Sequence, residues 1–106
     1  IVIRGGENIA CLEIEAAIYE HPSVREASVF GVPDERLGEK LATRISLNPG
    51  AELSQADLSS FLAEKIAKFK IPEYAWFQAD ELPKVAAGKI AKKQMREDAI
   101  KELGLD

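Results

Sequence analysis

The chain has 106 residues, which predicts one domain, and its net charge of -4 argues against a general nucleic-acid-binding protein. Apolar residues make up 46% and charged residues 30%, proportions typical of a globular domain in water. The single cysteine, Cys11, cannot form an internal disulfide. No apolar run reaches the roughly 18 residues of a membrane helix, and no signal peptide is recognised. A single cysteine fits a reducing compartment, so we expect a cytoplasmic protein. Because the chain opens at Ile1 without a methionine, we also expect a piece of a larger protein.

The first half of the chain predicts a strand, a helix and two further strands. The expected ranges are 1–3 for the first strand, 11–20 for the helix, and 24–30 and 41–47 for the next strands. Asn8 is a candidate helix cap, and Pro22 disfavours helical angles in the residue before it. The alternating residues of 41–47 are typical of a half-buried antiparallel strand, whereas 31–38 is expected to be a loop.

The second half predicts a helix, an aromatic strand and a final helix over 91–103. Ser54 with Asp57 is close to a capping box. The apolar residues expected to carry this helix into the core are Leu58, Phe61, Leu62, Ile66 and Phe69. Lys65, Lys68 and Lys70 would then complement the end of the helix dipole before Pro72 stops it. In the strand at 74–77, Tyr74 and Trp76 share one face.

This order of elements predicts a small α+β domain, with a mixed or antiparallel sheet and about three helices on one face. One cysteine and one histidine cannot supply a cluster of metal ligands, so no metal site is expected. The sequence also contains no recognisable nucleophile–base pair. We therefore expect a domain that completes an active site located elsewhere.

Five basic residues and no acidic residue lie between positions 84 and 96 of this acidic chain. They are Lys84, Lys89, Lys92, Lys93 and Arg96. Lys89 has three possible interpretations. It is a solvated lysine, the lysine of a phosphate-binding P-loop, or a point charge that a flexible loop delivers to an anion. The P-loop is excluded, because it needs glycine in place of Pro83 and a hydroxyl residue in place of Ile90. The other two interpretations stay open on the residues alone.

Two motifs at opposite ends of the chain resemble motifs of the adenylate-forming enzymes, which include acyl-CoA synthetases, peptide-synthetase adenylation domains and luciferases. The run Gly5-Gly6-Glu7-Asn8-Ile9 with Glu13-Ile14-Glu15 is similar to the motif that follows their hinge. Pro83, Gly88-Lys89-Ile90 and Arg96 are similar to their last core motif. The spacing of the motifs is also family-like, so the resemblance covers nearly the whole chain.

The resemblance implies that residues 1–106 are the C-terminal lid domain of an AMP-forming acyl-CoA synthetase. In these enzymes a large N-terminal domain binds ATP and a carboxylic acid, and the small lid closes over it. The full enzyme uses ATP, magnesium and CoA, whereas the lid alone binds no cofactor. The alternatives are the lid of a peptide-synthetase-like adenylation domain and a non-catalytic binding module with the same fold.

The same resemblance assigns roles to residues. Lys89 is the expected adenylation lysine, and Gly88 precedes it in the loop that meets the ATP phosphates. The loop expected to face the pantetheine arm of CoA consists of Gly5, Gly6, Glu7 and Asn8. Lys68 and Lys70 are candidate contacts for the CoA phosphates. Glu73 departs from the family pattern, because many CoA synthetases carry basic residues there.

Overall fold

Helices and strands follow the predicted order in the computed structural model, which describes the backbone of residues 7–34 and 38–105 and the side chains of residues 11–34 and 40–105. The helices are α1 (Glu7–Tyr19), α2 (Gln55–Ala63) and α3 (Lys92–Leu103), and the strands are β1 (Val24–Asp34), β2 (Gly38–Leu47) and β3 (Tyr74–Gln78). The longest helix, α1, has 13 residues, and no helix within the described ranges meets the length and hydropathy of a membrane span. The strand predicted at 1–3 lies outside the described residues.

The three strands form one mixed sheet in the order β1-β2-β3. β1 and β2 are antiparallel, whereas β3 runs parallel to β2. The return of the chain through α2 provides the crossover that a parallel pair requires. The predicted small mixed sheet with three helices is therefore confirmed.

Helices cover both faces of the sheet, so the prediction that they share one face was wrong. α1 and α2 pack on the face that carries Val29 and Ile45, and α3 packs on the face that carries Phe30. The strand predicted to be half-buried at 41–47 is in fact buried on both faces, because Ala42 and Ser46 are as inaccessible as Ile45. Ala42 packs with residues of α3, whereas Ser46 is covered by Arg25 and by the segment that follows β3.

β1 continues to Asp34, so most of the loop predicted at 31–38 was wrong. Val32 is fully buried on the α3 face, which stabilises the strand beyond Phe30. Pro33 pairs with Glu39 in the ladder. Proline is tolerated there because β1 is an edge strand, where a missing amide does not break a second ladder.

Side chains of α1 close part of the free edge of β1. The Tyr19 hydroxyl accepts a hydrogen bond from the Ala27 amide at 3.0 Å and donates to the Ala27 carbonyl at 3.3 Å. The Val29 amide donates to the Glu15 carboxylate at 2.7 Å. Unpaired edge groups invite pairing with another chain, so these contacts both anchor α1 and protect the edge.

The helix that begins after Ser54 is shorter than predicted. Its cap is confirmed, because the Ser54 hydroxyl accepts from the Asp57 amide at 3.0 Å. The helix ends at Ala63, however, so it is not Pro72 that stops it, and Phe69 is 73% exposed rather than in the core. No residue between 63 and 70 is buried, although Ile66 packs against the core while partly exposed, as predicted for a core residue.

β3 has the two faces that its sequence predicts. Tyr74 and Trp76 stack on the α3 side, with their ring centroids 6.4 Å apart. Ala75 and Phe77 pack on the other side, against the core that α1 and α2 cover. The aromatic strand is therefore a packing element between the two layers of helices.

Candidate functional site

Lys89 lies in a short hairpin between β3 and α3 that backbone hydrogen bonds close. Lys84 and Ile90 form an antiparallel bridge, and the Val85 amide donates to the Lys89 carbonyl at 2.7 Å. Further out, the Gly88 amide donates to the Val85 carbonyl at 3.2 Å. The loop predicted to be flexible is therefore a hydrogen-bonded turn, which we call the Lys89 hairpin (residues 84–90).

Two consecutive residues at the tip of the Lys89 hairpin have left-handed backbone angles. Ala87 has a φ of 69° and Gly88 a φ of 74°. A Cβ atom at Gly88 would meet nothing within 4 Å, so a lack of space does not require glycine there. Glycine is favoured because it adopts the left-handed backbone angle without a steric cost. For Ala87 the left-handed conformation costs about 1–2 kcal/mol. Backbone strain of this kind is concentrated at functional sites.

The side chain of Lys89 is exposed, as predicted. Among the described side chains, none forms an ion pair with Lys89. The root of the hairpin is buried, since Leu82 is 2% exposed and Ala91 is 3% exposed, and the Ala91 amide donates to the Pro83 carbonyl at 2.8 Å. The hairpin therefore presents the Lys89 ammonium outward from a buried base.

Two other lysines of the basic run are engaged within the domain. Lys84 forms an ion pair with Glu26 at 2.7 Å, and Lys92 forms one with Glu15 at 2.8 Å. Glu15 thereby binds both α3 and the edge of β1. Sequence reasoning missed these partners, because Glu15 and Lys92 are 77 positions apart and only the fold brings them together.

Arg96 also has a structural contact. Its Nε atom donates to the Gly31 carbonyl at 2.8 Å, so α3 closes the edge of β1 beyond the contacts of α1. Lys93 is exposed on α3 and, like Lys89, forms no ion pair within the described part of the chain. Of the five basic residues, Lys89 and Lys93 are thus the two whose charge is not neutralised by a described carboxylate or held against the sheet.

The predicted CoA loop is described only in part. Gly5 and Gly6 lie outside the described residues, whereas the backbone of Glu7 and Asn8 belongs to the first turn of α1. The prediction of Asn8 as a helix cap was wrong, because the helix already begins at Glu7. The last two residues of the predicted CoA loop, Glu7 and Asn8, are therefore helical.

The candidate CoA-phosphate lysines lie in the 3₁₀ turn Lys68–Lys70 and not in α2. The alternative that they complement the end of the α2 dipole was wrong, because α2 ends at Ala63. Lys70 forms an ion pair with Glu13 at 2.8 Å. Lys68 is exposed and forms no ion pair within the described ranges.

The contact of Lys70 with α1 lies at the middle of that helix, at Glu13. Glu13 is six residues after Glu7, or about 9 Å along the helix axis. Lys65 also pairs with this part of the chain, but through Glu20 at 2.7 Å, just beyond the opposite end of α1. Lys70 is therefore the lysine closer to the segment that carries the predicted CoA loop.

Glu73, the acidic departure from the family pattern, is paired. Its carboxylate forms an ion pair with Lys40, whose ammonium also lies 3.5 Å from Asp34. The hydrogen bond to Glu73 raises the pKa of Lys40 against desolvation, and the charges of Glu73 and Asp34 add to that rise. Lys40 therefore offsets much of the repulsion that Glu73 would exert on a nearby phosphate.

The single cysteine and the single histidine are packing residues. Cys11 lies on the core side of α1 and is 5% exposed. His21 packs edge-on against Phe61 with ring centroids 4.7 Å apart, and its Nδ1 atom accepts from the Ser23 amide at 3.1 Å. His, Cys, Asp and Glu side chains form no group of three that could hold a metal ion within the described residues.

Comparison with known proteins gives a consistent result. The family model of the AMP-binding enzyme C-terminal domain matches residues 13–89. Over 105 residues the chain is 44% identical to YngI of Bacillus subtilis and 43% identical to the mitochondrial medium-chain acyl-CoA ligase ACSF2 of Danio rerio. These alignments cover 99% of this chain but only 19% and 17% of the relatives. The crystal structure of Brucella canis acyl-CoA synthetase is 30% identical with a TM-score of 0.78, over 88% of this chain and 18% of that one.

Proposed function

The chain belongs to the family of AMP-binding enzyme C-terminal domains, and we propose that it is the catalytic lid of an ATP-dependent, AMP-forming acyl-CoA synthetase. It spans less than a fifth of the length of the relatives described above. The observation that carries the proposal is the exposed ammonium of Lys89, held at the tip of a strained hairpin without a carboxylate partner among the described residues. Such a cation suits an anion bound by another domain.

In the first half-reaction, the carboxylate of the acid attacks the α-phosphorus of ATP and diphosphate leaves, which gives an acyl-adenylate and breaks one P–O bond. The phosphorus centre is crowded and highly negative during this step. Lys89 stabilises the charge where it develops, because a preorganised ammonium needs little reorganisation when the reaction occurs. ATP, magnesium and the acid are proposed to bind in a larger N-terminal domain of the same protein.

In the second half-reaction, the thiol of CoA attacks the acyl carbonyl carbon and AMP leaves with the bonding electrons. We propose that the lid rotates between the two steps, so that residues 5–8 replace the Lys89 hairpin at the site. Acyl transfer needs a passage for the pantetheine arm more than it needs a positive charge. Gly5 and Gly6 suit that passage, because they carry no side chain.

The direct test is product identity in the full-length enzyme supplied with a panel of carboxylic acids. The proposal expects an acid-dependent conversion of ATP to AMP and diphosphate, together with a free CoA thioester. Adenylate formation that delivers the acyl group to a carrier protein and never to CoA would instead favour the peptide-synthetase-like alternative. Absence of AMP release with every acid would favour the binding module.

The basic 3₁₀ turn, which contacts the middle of α1 through Lys70 and Glu13, supports a CoA-phosphate site. We expect the double change Lys68→Glu with Lys70→Glu to raise the KM for CoA about tenfold and to leave the KM for ATP unchanged. The physical reason is that like-charge repulsion replaces attraction at the phosphates. Steady-state kinetics of the full-length enzyme measure both constants.

The matched control for this prediction is Lys65→Glu. Lys65 also forms an ion pair next to α1, but at the end remote from residues 5–8. The control should leave the KM for CoA unchanged. An equal KM for CoA in wild type and in a stably folded double mutant would contradict the assignment of Lys68 and Lys70.

The 106-residue chain should fold by itself but should not turn over. Both faces of its sheet are covered by its own helices, whereas the proposed ATP and acid sites lie in another domain. Calorimetry of the isolated chain should show one cooperative unfolding transition. ATP–diphosphate exchange should stay at background, and exchange catalysed by the isolated chain would refute the assignment of a lid without its own ATP site.

We further propose that the full-length protein works in the cytoplasm. The buried Cys11, the single cysteine of the chain, is compatible with a reducing compartment. The name of the Danio rerio relative, by contrast, places that protein in mitochondria. Fractionation of the source cells with an antibody against the native protein decides between the two.

A further inference from the structure

The segment that leads from β3 to the Lys89 hairpin is held by side chains. It has no helix or strand of its own, yet its backbone carbonyls are bound one after another. Arg25 donates to the Ala79 carbonyl at 2.7 Å, and Ser46 donates to the Asp80 carbonyl at 2.7 Å. Side chains of β1 and β2 therefore fix the path of the chain toward the hairpin.

Glu26 binds the end of this segment, at the base of the hairpin. Its Oε1 atom accepts from the Leu82 amide at 2.9 Å, and its Oε2 atom lies 2.7 Å from the Lys84 ammonium. The same ammonium donates to the Leu82 carbonyl at 3.2 Å. One carboxylate thus binds both the backbone before the hairpin and the first side chain within it.

The environment of Glu26 keeps its carboxylate charged. The side chain is 18% exposed, and desolvation alone would raise its pKa. Hydrogen bonds from Lys84 and Leu82, together with the charges of Lys84 and Arg25, outweigh desolvation and lower that pKa. A charged carboxylate makes a stronger hydrogen bond than a neutral acceptor does.

A β-bulge in β1 lets Val24 and Glu26 lie on opposite faces of the sheet. Val24 pairs with Leu47 and Glu26 pairs with Ser46, so the intervening residue is an extra one in the ladder. This irregularity keeps Val24 in the core under α1 while it places Glu26 on the opposite face, where α3 and the hairpin lie. Bulges often re-aim side chains next to functional sites in this way.

We propose that Glu26 is a positioning residue for adenylation, which fixes the Lys89 hairpin through Lys84 and the Leu82 amide. This inference rests on the proposed function, because it concerns the lysine that we assign to that step. The connection is short: Lys84 pairs directly with Ile90, the residue after Lys89. A displacement of about 1 Å at a reacting group can cost up to about 10²-fold in rate.

The variants Glu26→Gln and Glu26→Ala in the full-length enzyme test this role. Glutamine keeps an acceptor for the Leu82 amide but loses the ion pair, whereas alanine loses both. We expect the rate of adenylate formation to fall about tenfold in Glu26→Gln and about 10²-fold in Glu26→Ala. CoA ester formation from synthetic acyl-adenylate should stay near wild type, because the hairpin is remote from the site during that step.

Glu20→Gln is the matched control. It removes the charge from an ion pair of similar length, Glu20 with Lys65, that does not contact the hairpin, and both half-reactions should be unaffected. Lys84→Met should reproduce Glu26→Gln. If the two residues act through each other, the double variant should be no slower than the worse single variant.

Hydrogen exchange in the full-length protein gives a readout that does not depend on catalysis. Amides of residues 79–91, which include the Val85 and Ala91 donors, should exchange faster in Glu26→Ala than in wild type. Unchanged exchange there would overturn the anchoring role of Glu26, whatever the kinetics.

The two proposals fail in different ways. If Lys89→Ala separates the half-reactions but Glu26→Ala slows neither, or slows both equally, the positioning role is overturned and the proposed function stands. If Lys89→Ala does not separate them, the proposed function is overturned instead, and the exchange measurement still decides the anchoring role.

Discussion

Replacing Lys89 with alanine in the full-length enzyme should slow acyl-adenylate formation by at least about 10²- to 10³-fold, the usual cost of losing one preorganised electrostatic contact. The ammonium is exposed at the tip of the hairpin, so the change should not alter the fold. Acid-dependent ATP–diphosphate exchange measures this half-reaction separately. An unfolding temperature equal to that of the wild type would show that the fold is intact and that the loss of rate comes from the missing ammonium.

The second half-reaction supplies the internal control. Synthetic acyl-adenylate bypasses the lost step, so CoA ester formation from it should stay near the wild-type rate. Lys93→Ala is the matched variant, because Lys93 is also exposed and also forms no ion pair among the described residues, and it should change neither rate. Lys89→Arg should rescue only in part, since a planar guanidinium does not replace a compact charge. Equal losses in both half-reactions, or no loss in either, would show that Lys89 is not the adenylation lysine.

The strands were predictable where their sequence alternates. Tyr74 and Trp76 share a face of β3 as expected, because alternation follows from strand geometry alone. The end of β1 was not predictable in that way. Its Pro-Asp pair is turn chemistry, and only pairing with β2 and burial of Val32 under α3 keep the segment extended.

The coverage of both faces of the sheet could not be deduced from alternation in β2. Small residues such as Ala42 and Ser46 are as common on exposed faces as in tight helix–sheet contacts, so they carry little signal. Ala42 is buried by α3 and Ser46 by Arg25 and the segment after β3, so both depend on residues that are distant in sequence. Phe69 shows the opposite case, because its helical spacing predicts burial that the early end of α2 prevents.

The exposed lysine of the candidate site could be singled out from the sequence, whereas the residues that hold its hairpin could not. Lys89 could be singled out because a lone lysine beside glycine is recognisable in sequence. The support consists of pairs that are distant in sequence, such as Glu26 with the Leu82 amide, 56 positions apart. A run of basic residues in the sequence does not show which of them form ion pairs in the folded domain. The structure shows that Lys84 and Lys92 do, and it leaves Lys89 as the outward charge at the hairpin tip.

Changing Gly6 to valine should affect CoA ester formation, the half-reaction in which we propose no role for Lys89. A branched side chain in the proposed pantetheine passage should slow CoA ester formation by about 10²-fold or more, because the thiol can no longer reach the acyl carbonyl in line. Diphosphate release should continue in the first turnover, so acyl-adenylate should accumulate on the enzyme. Quenched-flow sampling of bound adenylate and free CoA ester measures both quantities in one experiment.

Gly6→Ala separates a steric cause from a conformational one. If side-chain volume in the passage is what matters, alanine should slow ester formation much less than valine. If the backbone needs an angle that only glycine adopts easily, the two variants should be slowed about equally. Gly6→Val and Lys89→Ala should thus slow opposite halves of the same reaction, as expected of a lid that presents a charge in one orientation and a passage in the other. A fall in diphosphate release as large as the fall in CoA ester would mean that residues 5–8 do not form the passage for CoA.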